Sequence, residues 1–200
     1  LHAPMALDAA RTYARIAPES NHALHMPSHI FVQLGLWDEV ISSNIDAFAA
    51  SKKWVEKKDL SIEDWDYHSL AWMSYGYEQS GKFEKSAENL QIIKDAEANG
   101  GGSDYYLPIM QGNYIVNSQN WEVLPLPDWE NANGRSLYAQ VSYLLASGLS
   151  AVYLEDAQAA NEALNHMAKI RAKFEAKEDE YYVNLIQINA NDVMRFAKLV

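Results

Sequence analysis

Three histidines stand at 22, 25 and 29 in the segment NHALHMPSHIF, and a fourth, His68, lies in DWDYHSLAW. His25 and His29 are four residues apart, a spacing that puts two imidazoles on one side of a helix and lets them share a zinc-like ion. His22 or His68 would supply a third ligand, and an acid such as Asp66 a fourth. A zinc protease of the HExxH type places a glutamate general base directly after the first histidine, and here that place holds Met26. A hydrolase is therefore disfavoured, while a histidine-based metal-binding module or metal-dependent enzyme domain stays open. The same side chains, as neutral donors and acceptors, also suit recognition of a peptide or another polar ligand. A third reading gives them only hydrogen bonds to neighbouring helices, stabilising the stack. No serine–histidine–acid order, paired-carboxylate context or dinucleotide fingerprint accompanies them, so the expected function is non-enzymatic binding.

The elements that must position these residues are helical. Apolar residues recur at three- and four-residue spacing along most of the chain, and the alternation of half-buried strands is hard to find. Breaks fall at APES (17–20), LGLWD (34–38), QSGKFE (79–84), NGGGSD (99–104), LPLPDWENANG (124–134) and LEDA (154–157). Asn21, Asp38, Ser103 and Asp156 occupy places where a side chain would cap a helix start. NGGGS lacks the lysine and the strand context of a phosphate-binding loop, and it reads as a connector. Pro27 removes a backbone donor and strikes the carbonyl of Ala23, so the helix around it kinks or restarts. A shift of 46 positions lays Gly35 over Gly81 and Trp37 over Phe83, and a shift of 34 lays Ala6 over Val40 and Leu7 over Ile41. Trp121 follows Phe83 at about one repeat's distance. Internal repetition of a helix, a tight turn and a second helix is the consequence.

This pattern resembles the tetratricopeptide repeat (TPR). Its small-residue and aromatic scheme is visible as Leu34, Gly35, Trp37 and Ala47, then as Ser74, Tyr77, Gly81, Phe83 and Ala87, then as Gly148, Ala160 and Leu164. HALHMPSHIFVQLGLWDEVISSN with DYHSLAWMSYGYEQSGKFEKS is similar to the C-terminal region of large bacterial TPR proteins of unassigned function. The resemblance implies an all-α fold of antiparallel helix pairs stacked in a right-handed superhelical solenoid. One domain is expected over 1–200, with a half repeat at 1–18, units at 21–58, 66–99, 103–127 and 135–175, and a closing helix at 178–199. In that closing helix Tyr182, Leu185, Ile186, Ile188, Val193 and Phe196 are expected to cover the last repeat. Trp37, Phe83 and Trp121 are expected to open second helices. The resemblance further implies a concave groove lined from the first helix of each pair. Its wall would comprise His22, His25, His29, Gln33, His68, Tyr75, Glu78 and Gln79, with Tyr106 at the matching place of the third unit. The expected partner is a protein or peptide segment held in that groove, without a cofactor unless zinc binds at His25 and His29 with His22 or His68.

Composition narrows the partners further. The 200 residues carry 16 basic and 27 acidic side chains, a formal charge of −11 that repels nucleic-acid phosphates and anionic lipid surfaces. The absence of cysteine removes disulfides, thiolate ligands and a cysteine nucleophile. No apolar run approaches the roughly 18 residues needed to span a bilayer, and the compartment, cytoplasmic or periplasmic, stays open. The chain begins with Leu1 inside a helical pattern, so it reads as part of a longer protein. Its first helix, 4–16, should accordingly expose an apolar flank that preceding repeats or a second chain would cover.

Overall fold

The computed structural model describes residues 2–101, 103–126 and 134–197. The expected breaks at Gly102 and at 127–133, and the last residues of the closing helix, lie outside them. Among the described residues the regular elements are all helical: α1 (Ala3–Tyr13), α2 (Asn21–His25), α3 (Ser28–Gln33), α4 (Trp37–Lys57), α5 (Tyr67–Gln79), α6 (Phe83–Ala98), α7 (Tyr106–Ser118), α8 (Gly134–Tyr153), α9 (Ala157–Glu175) and α10 (Glu180–Phe196). One 3-10 turn, Ile62–Asp64, precedes α5. None of the described helices is long and apolar enough to cross a membrane. The chain divides into two compact units, Leu1–Met110 and Gln111–Val200, with the division inside α7.

In the first unit α3 packs on α1, and α4 packs on both α2 and α3. Helix α5 then packs on α4, and α6 on α5. Phe31 and Val40 bury against Ala10, while Leu70 and Ile93 are fully enclosed. Gly76 permits the close approach of α5 to α4, because a Cβ there would come within 2.9 Å of Ile41 Cγ1. The two repeat turns close alike. Gly35 and Gly81 adopt φ of 68° and 69°, and the following amides, Leu36 and Lys82, donate back to Phe31 O at 3.0 Å and Tyr77 O at 2.8 Å. Such 6→1 closure needs a left-handed residue, which glycine adopts without a Cβ penalty. Trp37 and Phe83 each open the next helix, as the repeat shift predicts.

Helix starts follow capping chemistry, with two corrections. Ser20, rather than Asn21, caps α2 by accepting from Ala23 N, and Asn21 is the first helical residue. Asp38 is the second residue of α4, behind Trp37, so it faces the helix dipole without a cap bond. Ser103 and Asp156 cap as expected, accepting from Tyr106 N at 3.1 Å and Ala159 N at 2.9 Å. Met5 on α1 is 85% exposed and Ile16, in the turn that follows the helix, 76%.

In the second unit α8, α9 and α10 pack on one another around Leu144, Met167, Ile170, Phe174, Ile186 and Val193. Phe174 and Tyr182 stack with ring centroids 4.9 Å apart, and Tyr138 meets both rings edge-on. Helix α10 crosses α8 at Gly148, where a Cβ would fall 2.6 Å from Val193 Cγ2. Ile188, expected in the covering face, is 56% exposed instead. Trp121 opens no second helix, because residues 119–126 after α7 form no regular element. Its ring stacks on Tyr153 at 4.4 Å.

Candidate metal centre

Pro27 determines how the first two histidines are presented. Lacking an N–H, it ends the α2 ladder, whose last bond runs from Met26 N to His22 O at 3.0 Å. Its own φ and ψ of −58° and −30° stay right-handed, and α3 starts on its carbonyl, which accepts from Ile30 N and Phe31 N. Ser28 Oγ donates to His25 O at 2.7 Å across the break. The backbone thus restarts without turning away, and His25 and His29 keep a common face. Their Nε2 atoms are 3.1 Å apart.

His68 arrives from α5. Asp66 caps that helix, accepting from Ser69 N at 3.2 Å and Ser69 Oγ at 2.6 Å. The same carboxylate accepts from Asn21 Nδ2 at 3.0 Å, and Asp66 N donates to Ser51 Oγ at 2.7 Å, so α5 is fastened to α2 and α4 where the histidines meet. His68 Nε2 stands 3.1 Å from His25 Nε2. One nitrogen from each of the three rings lies within 4.8 Å of the others. Trp72, four residues beyond His68, presents its ring to all three imidazoles at centroid distances of 5.1, 4.5 and 5.7 Å.

The far sides of two rings are also engaged. Asn44 is fully buried on α4, and its Nδ2 donates to Val40 O, which turns Oδ1 toward His25. Nδ1 of His25, 2.7 Å from that oxygen, therefore carries the proton, and Nε2 offers a lone pair. Nδ1 of His68 lies 3.1 Å from the Tyr106 hydroxyl. Outer partners of this kind fix the tautomer and orientation of metal-binding imidazoles.

Protons alone fit the trio poorly. If His29 and His68 both carry Nε2–H, two donors converge on the single lone pair of His25; if either lacks it, lone pairs face each other. A divalent ion would resolve the conflict by accepting all three lone pairs. Zinc–nitrogen bonds of 2.0–2.1 Å in a tetrahedron put ligand nitrogens about 3.3 Å apart. The two spacings from His25, 3.1 Å each, are close to that value, and the His29–His68 pair lies within 4.8 Å. Electrostatics favour the uncharged rings that coordination requires. Burial, outweighing Asn44 and Asp66, holds His25 below its ordinary 6.5. Burial with the neighbouring His25 lowers His29 also, and the same two causes bring His68 to about 4. Burial opposes ionisation of Asp66, but hydrogen bonds from Ser69 and Asn21 overcome it and keep the carboxylate low.

The other expected groove residues are dispersed. His22 is exposed on α2 and outside the trio, and Gln33 and Gln79 are exposed, Gln33 donating to His29 O. Tyr75 is half-buried with its ring edge-on to Trp37. Glu78, placed on the groove wall by the repeat register, is buried and accepts from Ser86 Oγ of α6 at 2.7 Å. His25 is likewise buried, at 1% exposure. Asp66, considered as a fourth ligand, is engaged as a cap. Sequence reasoning passed over Asn44, although a polar residue on the apolar stripe of Val40, Ala47 and Phe48 is a readable sign of a buried hydrogen bond. No protein-family model matches this chain, and comparison with curated proteins and with solved structures finds no match.

Proposed function

We propose that the first unit is a helix-pair repeat module of the TPR type whose function is to hold a zinc-like divalent ion on His25, His29 and His68. The observation that carries this reading is the convergence of three Nε2 atoms, with spacings of 3.1 Å from His25 to each partner. All-nitrogen coordination by imidazole suits zinc and its neighbours in the first transition row. The matched turns at Gly35 and Gly81 support the repeat assignment. A role in binding is favoured over hydrolysis, because the nearby Asp66 carboxylate is held by Ser69 and Asn21 rather than free to act as a base. The peptide-groove reading has less support, since His25 and Glu78 among its wall residues are buried.

Metal analysis of the purified chain, paired with thermal melting in zinc and in chelator, tests the proposal. At a zinc concentration 100 times its Kd, the expected stabilisation is about 2.7 kcal/mol, or a melting shift of roughly 10 °C. If no ion co-purifies and neither additive moves the melting temperature, the metal reading fails.

A further inference from the structure

We infer that an ion on His25, His29 and His68 keeps one coordination position for an exchangeable external ligand, and that this position takes a small monoanion. The inference rests on the metal reading above. Among the described residues, His25, His29 and His68 form a set of three, with no fourth histidine or acid reaching it. The chain has no cysteine to add a thiolate. Asp66 is the acid whose charge is felt at both His25 and His68, yet its oxygens already accept from Ser69 N, Ser69 Oγ and Asn21 Nδ2. Three protein ligands and a water in the fourth place is the open arrangement of zinc sites that bind external ligands, whereas closed structural sites use four protein ligands.

Charge and access select the ligand. Three neutral imidazoles leave the full +2 of the ion uncancelled, and His25 and Trp72 shield part of its surroundings from water, so an anion gains more than a neutral donor. A formal chain charge of −11 repels a dianion more than a monoanion. Approach is from the side of His29 and His68, which are only partly buried, unlike His25.

Cobalt(II) loaded into the whole 200-residue chain reports the test through its visible absorption bands. Sodium azide and sodium acetate should each shift the bands saturably, inorganic phosphate should bind more weakly than acetate, and His22→Ala should leave these responses unchanged. Bands that ignore azide and acetate but change with His22→Ala would show that His22 fills the fourth place, which overturns the open position. Phosphate binding tighter than acetate overturns the monoanion class. Absence of cobalt bands together with an unmoved melting temperature sinks the metal reading itself, and the inference with it.

Discussion

The two units solve the same packing problem with different interiors. In Gln111–Val200, three helices close over aromatic and aliphatic side chains, with Phe174 and Ile170 fully enclosed and Tyr182 stacked on Phe174. In Leu1–Met110, the contact of α2 and α4 with α5 encloses His25, Asn44, Ser51 and Ser69 instead. Buried polar groups are costly unless each finds a partner, so a helix stack gains little stability from them over an apolar core. Among the described residues unit two also buries polar side chains, Gln140, Ser147, Ser150 and Asn189, but gathers no histidine trio. On the proposed reading, the imidazole cluster of unit one serves a ligand rather than the packing of the helices.

The largest effect that would test this contrast is in the apolar unit. Phe174→Ala should cost about 3–5 kcal/mol in chemical denaturation, equally with zinc and with chelator. A loss that depended on chelator would undo the assignment of metal to unit one alone. Asn44→Leu should act in the opposite manner. It leaves Nδ1–H of the buried His25 without its acceptor, which lowers stability by about 1–3 kcal/mol and weakens zinc roughly 10–100-fold in competition with a chromogenic chelator. Unchanged zinc affinity would remove Asn44 from the support of the site.

Acid should separate the units as well. The folded-state values of His25, His29 and His68 lie below the ordinary 6.5, so across that interval the unfolded chain binds more protons than the folded one. Stability from the neutral rings is therefore fully present above about 6.5 and is lost as pH falls toward about 4. Melting of chelator-treated protein through that window should show a decline that His68→Phe reduces; a flat profile would contradict the neutral, desolvated trio. The smallest expected effect lies in the turns. Unit one closes on Gly35 and Gly81, whereas unit two places Glu155 and Glu178 at φ of 58° and 56°. Glu155→Gly should stabilise unit two by ~1 kcal/mol, and Gly81→Ala should destabilise unit one by a similar amount, both read by denaturation.

Much of this was legible in the residues because helices and their turns are local. Gly35 with Trp37 and Gly81 with Phe83 mark the turns from sequence alone, and the spacing of His25 and His29 defines a shared face. The long-range partners were less accessible. A helical stripe states which residues share a side, not which of them another helix will cover, and so Glu78 is enclosed by Ser86 where a groove was expected. The third member of the proposed site stood among two candidates, and His68 rather than His22 meets His25 and His29 because α5 is fastened through Asp66, Asn21 and Ser51. Trp121 has the repeat's spacing but residues 119–126 around it form no helix, and Pro125 lies where a second helix would have to run.

Pro27 has one more consequence. His25 and His29 stand on opposite sides of the break, so an ion joined to both is a strut across a joint that lacks its normal backbone bond. An unbroken helix would present the pair at a fixed bite, leaving the metal to accept it. Were the proposed ion bound, two short rods meeting at a proline would let that bite adjust, and the ion would lock the angle at which α2 meets α3. On the proposed reading, coordination and local rigidity become one event in this segment.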